Sequence, residues 1–529
     1  MRDPGASAAV FALMMSMMAA GNARGADRPL GLEEAIGLAL RHSDTIIIRR
    51  EAAAASDAAA GGARGAYDPL LEVSAGWSRT TEPVNSAFSG APSGELAPTV
   101  EAGRTGLVVS QLLPTGGAVS LRAAASRETT DGAFTLLSPA YGTRVGLELR
   151  QPLLRDLAID PARLGMQLAD AGNMEAMAAL EGTVNDTIAA VARSYWNLVA
   201  ARREVIVRRE AIRLAEEQLE ETITRVEGGA APRTDEAQPR AEIERRRGEL
   251  FESIESVSRA ENLVKLLILT DADGAAWLEG IEPTESLETA GVEPDIAAEM
   301  ERALLLRPEV AAAAAFLERR RAESRFASND VRPALDAVVS YDRFGLSGFE
   351  NPDGGSIPGV PALIPSELEG GWSRSWGTLG EGHFDDTRLG LVFGIPLGNR
   401  TARAAAAGAR NAERGAEAEL ARIRKVIRVE VLDAGAALQT AAQRIEAARA
   451  ALESAEVQLF AEQERFAVGL STNFLVLTRQ NDLSGARLEE IESLADYRTA
   501  LSQMERATGS LLQGRDTDPA AAAGEEPSK

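Results

Sequence analysis

Apolar residues recur every seven positions along two long stretches. Val184, Val191, Leu198, Val205, Ile212, Leu219 and Val226 form the first series, and Val431, Leu438, Ile445, Leu452, Leu459 and Phe466 the second. A sustained seven-residue repeat predicts long helices that supercoil left-handedly against their neighbours. In the second stretch Ala434, Ala441, Ala448 and Ala455 hold the complementary position, which lets another helix approach closely. In the first stretch that position passes from Ile188 and Tyr195 to Arg202, Arg209 and Glu216. A seam that turns charged halfway fits a helix in a wall, with apolar flanks and one wetted face. Helices near 162–226 and 399–466 would each be roughly 100 Å long at 1.5 Å per residue. Taken alone, the seams fit a soluble coiled coil.

A second pattern alternates with period two, as strands do. It occupies Leu71, Val73, Ala75 and Trp77, then Val119, Leu121 and Ala123, then Val145, Leu147 and Leu149. It returns at Leu335, Ala337, Val339 and Tyr341, and again at Leu389, Leu391, Phe393 and Ile395. Polar residues such as Glu148, Arg150, Asp336 and Asp342 stand between them. Such strands suit a transmembrane barrel, apolar side to lipid and polar side to the lumen. Four strands are clear, and 107–125 around Pro114-Thr115-Gly116-Gly117 reads as an extra hairpin, either in the barrel or outside it. Four to six strands are too few to close a barrel, so a membrane form requires several copies of the chain. The Gly/Ser/Pro-rich stretches near 82–103, 130–141 and 345–386 read as exposed loops.

These elements occur twice. Ala39-Leu40 recurs as Ala303-Leu304, and Tyr67-Asp68-Pro69 as Val331-Arg332-Pro333, each 264 residues on (39 to 303, 69 to 333). Gln151-Pro152-Leu153-Leu154 parallels Ile395-Pro396-Leu397, and Arg225-Val226-Glu227-Gly228-Gly229 parallels Arg465-Phe466-Ala467-Val468-Gly469. The order helix, strands, long helix, turn and return helix is therefore written twice. Pro239 either bends the first return helix or marks a later start than 233.

Composition narrows the function. A formal charge of −23 over 529 residues excludes nucleic acid as the partner, because phosphate backbones are held by clustered cations. Lysine occurs only at Lys265, Lys425 and Lys529, and the arginines alternate with acids as on solvated faces. With no cysteine and only His42 and His383, thiol chemistry, zinc centres and His-dependent triads are excluded. Each histidine reads as a polar residue at the end of an element. No catalytic residue, cofactor or metal is expected. The apolar run from Ala8 to Ala20, followed by Gly21-Asn22-Ala23, reads as an export signal.

The ordered set of features resembles the TolC family of outer-membrane efflux proteins. It is carried by Leu32-Glu33-Glu34-Ala35 through Ala39-Leu40, the two X-Pro-started strands, the Gln-Pro-Leu and Ile-Pro-Leu strand ends and Val468-Gly469-Leu470-Ser471-Thr472. The resemblance implies a mainly α fold with membrane β. That fold is a trimeric outer-membrane β-barrel, four strands per chain, continued by a long periplasmic α-helical barrel and built from two internal repeats. It implies passive export by a homotrimer in outer-membrane lipid, with a periplasmic adaptor and an inner-membrane efflux pump or ABC transporter. Hairpin tips dock the adaptor, which assigns Val468, Gly469, Leu470, Ser471, Thr472 and Arg465 at one tip and Arg225, Gly228 and Gly229 at the other. The first tip departs from Val-Gly-Leu, so docking there is expected to be weaker. Turn formation alone also accounts for the glycines, and the helix dipole for Arg225 and Arg465.

Thr234-Asp235 match a position used in gate contacts of the family. The arginine that often faces it is Ser471 here, and the positions of the family's aspartate ring read Leu475 and Thr478. Asp482, one turn later, is the remaining candidate. The chain thus divides into a signal segment (1–23), a first repeat (24–288), a second repeat (289–514) and a disordered tail (515–529). The alternative class is an exported coiled-coil structural or adhesive protein of the envelope, without channel activity.

Overall fold

The computed structural model describes residues 27–83, 90–91, 95–288, 291–354 and 364–512. The expected signal segment and tail lie outside them. The chain forms two compact units, one from residues up to 55, 174–314 and 418 onward, the other from 56–173 and 315–417.

The first unit is helical. Its elements are β1 (Arg28–Leu30), α1 (Leu32–His42), α2 (Asp44–Arg64), α3 (Pro161–Glu227), α4 (Ala237–Ile268) and β6 (Ile281–Pro283). They continue with α5 (Ile296–Leu306), α6 (Pro308–Asp330), α8 (Arg400–Ala467) and α9 (Asn473–Thr508); α2, α3, α6 and α8 also contribute to the other unit. The two long helices of 67 and 68 residues fall where the seven-residue seams end. Val191 and Leu198 on α3 and Val431 and Leu438 on α8 are wholly buried in one core. Each such side chain contributes about 1.5–3 kcal/mol by leaving water. The charged half of the α3 seam is not simply wetted: Arg202 pairs with Asp27 and Glu261 at 2.7 Å each, and with Glu282. It thereby ties α3 to the β1–β6 parallel pair and to α4. Tyr195, also buried, donates from its hydroxyl to the Leu30 carbonyl at 3.0 Å and accepts from the Thr284 amide at 3.1 Å.

The short helices break where the sequence requires it. Pro308 opens α6, and its missing amide removes the bond that would have continued α5. Arg307 at the break is buried and binds Glu309 (2.7 Å), Glu430 (2.9 Å) and the Ala507 carbonyl (3.1 Å). The first return helix starts at Ala237 rather than near 233, which places Pro239 in its first turn, where no amide is needed. His42 ends α1, with its Nδ1 2.9 Å from the Ile268 carbonyl oxygen.

The second unit holds β2 (Leu70–Thr81), β3 (Thr99–Leu112), β4 (Ala118–Thr130), β5 (Leu137–Pro152), β7 (Ala334–Glu350), α7 (Trp372–Glu381) and β8 (Asp385–Gly394). The six long strands form one antiparallel sheet in the order β2-β3-β4-β5-β7-β8. Among the described residues the sheet thus has six strands, the upper end of the four to six read from the residues and two more than the resemblance implies. The hairpin β3–β4 sits within the sheet, turning at Leu113–Gly117, where Gly116 holds φ +80. Three expected loops are also shorter than anticipated: β3 begins at Thr99, β5 at Leu137, and 345–386 contains the end of β7, the helix α7 and the start of β8.

Register fixes the two faces. The row Leu71, Val109, Leu121, Leu147, Tyr341 and Thr387 runs across the whole sheet on one face. The row Glu72, Val108, Arg122, Gly146, Asp342 and Asp386 runs across the other. On the polar face arginine–carboxylate pairs cross the strands: Arg122–Glu148 at 2.9 Å, Arg144–Asp342 at 2.8 Å and Arg150–Asp336. Asp342 fits only because position 146 is glycine, since a Cβ there would lie 1.8 Å from its carboxyl oxygen. The apolar face stands open, with Leu71, Val73, Trp77, Leu389 and Leu391 all more than half exposed.

Candidate functional site

The first unit carries two helical hairpins, α3–α4 and α8–α9, whose turns have the same backbone geometry. The amide of Gly229 donates to Val226 (3.1 Å) and that of Ala230 to Arg225 (2.8 Å); Gly469 donates to Phe466 (3.0 Å) and Leu470 to Arg465 (2.8 Å). Both glycines lie in the left-handed region, with φ of +74 and +79. This pattern satisfies the last carbonyls of each long helix and needs a glycine at that position.

The two turns differ in what they present. At the α8–α9 tip Val468 and Leu470 are 70% and 80% exposed, and Phe474 is 60% exposed. Three large apolar side chains thus stand in water at this tip. The α3–α4 tip shows Glu227, Gly228, Gly229 and Ala230, all exposed and none large and apolar. Ser471 and Glu462 are hydrogen-bonded, and Arg465 approaches Glu462 at 3.6 Å.

Polar contacts join the two hairpins near their tips. Arg225 donates to the Phe466 carbonyl at 2.6 Å, and its guanidinium lies 4.0 Å from the centre of the Phe466 ring. Arg225 therefore caps the C-terminus of the other long helix rather than its own. Gln218 and Thr222 on α3 donate to Asn473 at 2.8 and 2.9 Å. Deeper in, Arg246 on α4 is only 2% exposed. It donates to Glu242 (2.9 Å), Gln480 (3.2 Å), Asn481 (2.8 Å) and the Ala211 carbonyl. Burial opposes the charge on Glu242 most strongly, yet hydrogen bonds from Arg245, Asn481 and Arg246 hold its carboxyl down at about 2. Burial likewise pulls the Arg246 guanidinium down, against the pull of Glu242. A buried arginine bound on every side is costly to break and can be exchanged only as a unit.

Thr234 and Asp235 lie in a one-turn 3-10 segment before α4, both exposed, and neither side chain bonds another described residue. Asp482 pairs with Arg479 on its own helix at 2.9 Å. Of the residues that bridge the hairpins, Arg225 was singled out from the sequence, whereas Gln218, Thr222, Arg246, Asn473, Gln480 and Asn481 were not. Their one signal was polar character at positions facing a neighbouring helix. Among the described residues no cluster of His, Cys, Asp or Glu could share a metal ion, and no helix is long and apolar enough to cross a membrane.

Residues 300–510 match the family model described as outer membrane efflux protein. That match covers 211 of the chain's 529 residues. No curated protein sequence matches the chain, but solved structures share its fold. The Campylobacter jejuni CmeC outer membrane channel is 16% identical, with 93% of this chain and 88% of that one covered and a TM-score of 0.61. The outer membrane protein VceC from Vibrio cholerae is 16% identical over 90% and 96% of the two chains, with a TM-score of 0.59. The open-state MtrE outer membrane channel of Neisseria gonorrhoeae is also 16% identical, covering 90% and 88%, with a TM-score of 0.59.

The chain shares the fold of these outer membrane channels, long helices together with an antiparallel β-sheet. The coiled-coil alternative is not favoured, for it accounts for the seams of α3 and α8 and leaves the two-faced sheet without a purpose.

Proposed function

We propose that this chain is a subunit of an outer-membrane efflux channel, and that three copies join their six-stranded sheets, β8 of one beside β2 of the next, into a single barrel of eighteen strands. The observation that carries this is the pairing of one open apolar face with two unpaired edges. Backbone groups at a sheet edge cannot remain unpaired in lipid, so β2 and β8 must find strands on other copies. The polar face then lines the lumen, and its crossed arginine–carboxylate pairs give a water-filled wall that carries both signs of charge.

Export through this channel is passive, driven by an inner-membrane transporter and coupled through a periplasmic adaptor. The exposed Val468, Leu470 and Phe474 supply the main docking surface for that adaptor, and Arg465 flanks it. The α3–α4 tip, with Arg225, Gly228 and Gly229, is the weaker partner because it offers no apolar side chain. Opening requires the two hairpins to part, so Arg225–Phe466 and the Asn473 and Arg246 contacts are the bonds broken within each subunit. Thr234, Asp235 and Asp482 are available for contacts between subunits.

Disulfide cross-linking tests this reading in a chain that has no cysteine of its own. Ser74→Cys on β2 is combined in turn with Arg388→Cys, Gly390→Cys and Val392→Cys on β8. Oxidation of outer membranes is expected to give covalent trimers for at least one register. Monomers at every register would overturn the shared barrel.

A further inference from the structure

Helix α7 lies on the apolar face of the sheet. Thr143 donates to the Ser375 carbonyl at 3.1 Å, Ser347 donates to the Gly371 carbonyl at 2.9 Å, and Tyr141 meets the Trp372 ring edge-on at 5.0 Å. These strand residues alternate in phase with Leu147 and Tyr341, so they share the apolar face. The contact is close: a Cβ at Gly345 would come within 2.0 Å of the Ser375 carbonyl oxygen. Strands β2 and β7 begin, and β5 and β8 end, at the opposite end of the sheet, so α7 stands at the rim away from those chain ends.

Between α7 and β2 the same face forms a shallow groove. Trp77 and Trp372 stand on its two sides, and Gly103, Thr105 and Ala125 lie along its floor with Arg127. The floor is low because Gly103 has open space where a side chain would be. Trp77, Gly103, Arg127 and Tyr141 form one row across four strands, above the apolar row of Leu71 and Leu147. Arg127 is exposed and forms no ion pair among the described residues, while Glu101, on the next rung, is engaged by Arg79 at 3.7 Å.

We propose that this groove binds a phosphate-bearing lipid of the outer leaflet, with an acyl chain between Trp77 and Trp372 and its phosphate on Arg127. Three features point to that occupant. The groove opens on the face that meets lipid, it is apolar toward the middle of the band, and the charged residues that line it, Arg104 and Arg127, are both cations. Arginine matches phosphate with two parallel donors, and tryptophan favours the level at which hydrocarbon gives way to headgroups. A glycine and alanine floor leaves room for one chain rather than a bulky side group. The inference rests on the apolar face being the lipid face.

The test uses the full-length trimer in mild detergent, titrated with phosphatidic acid bearing brominated chains. Bound lipid is read by native mass spectrometry, and tryptophan quenching is assigned with W77F and W372F variants. Phosphatidic acid is expected to be retained and to quench both tryptophans. Arg127→Gln should weaken retention roughly tenfold or more, the loss of one charge-assisted contact. Uncharged brominated diacylglycerol should bind no better to the wild type than phosphatidic acid binds to Arg127→Gln. Equal binding of both lipids, unchanged binding by Arg127→Gln, or full competition by inorganic phosphate would each overturn the lipid site. If Trp77 were not quenched by any brominated lipid, the lipid-facing assignment itself would fail, which separates the two failures.

Discussion

Arg225 ends the long helix of one hairpin and holds the end of the other, bonding the Phe466 carbonyl at 2.6 Å and covering the Phe466 ring. A single side chain thus joins the two tips. Replacing it with alanine removes one charge-assisted hydrogen bond, worth about 1.5–3 kcal/mol, and one cation–π contact of about 0.5–2 kcal/mol. Arg225→Ala is expected to raise the open probability of the channel in planar bilayers while leaving the trimer intact. Conductance indistinguishable from wild type would show that this contact does not restrain the tips.

The buried arginine network should respond to acid. The carboxyl of Glu242 is held at about 2, below its ordinary 4.5, so its ionised form stabilises the folded tips. That contribution is fully present above about pH 4.5 and is lost as pH falls through 2. Hydrogen exchange along α4 and α9 should quicken between these limits, and Glu242→Gln should flatten the profile. An unchanged profile in Glu242→Gln would contradict the assignment.

At the α8–α9 tip, Val468→Asp with Leu470→Asp should abolish adaptor-dependent efflux with no loss of folded trimer, because both side chains point into water. The matching change at Ala230 in the other tip should have the smaller effect. The measurement is efflux in cells that produce each variant at equal level. Equal loss from both tips would remove the distinction between them.

Two glycines of the sheet should behave oppositely. Gly146→Ala drives a methyl into Asp342 and breaks its pair with Arg144, so trimers should dissociate at lower temperature. Gly103→Ala meets nothing within 4 Å and should leave heat stability unchanged. Heated gel mobility of the two variants reads the difference directly.

Much of this architecture is written openly in the chain. Val191, Leu198, Val431 and Leu438 mark the long helices because a buried seam must repeat every seven residues. Gly229 and Gly469 mark the tips because only a residue without Cβ takes that backbone cheaply. Less visible was β3, where Glu101, Gly103, Arg104 and Gly106 interrupt the alternation of apolar residues, so the sequence left open whether the hairpin joins the sheet. Helix α7 was hidden by Gly377, Gly380 and its serines, and it forms through its docking on Thr143 and Gly345 rather than by propensity. The Arg246 network escaped notice because an arginine among glutamates looks solvated until a neighbouring helix covers it. Likewise Arg202 read as a wetted position and is an ion-pair hub. Contacts between distant segments of the chain have no local signature, and the bonds that join the two hairpins are all of that kind.

Electron cryo-microscopy of the detergent-extracted protein should show a threefold barrel of eighteen strands, six from each chain, with β3 and β4 in the wall between β2 and β5. A barrel of twelve strands with that hairpin outside the wall, or a particle with no barrel, would contradict it.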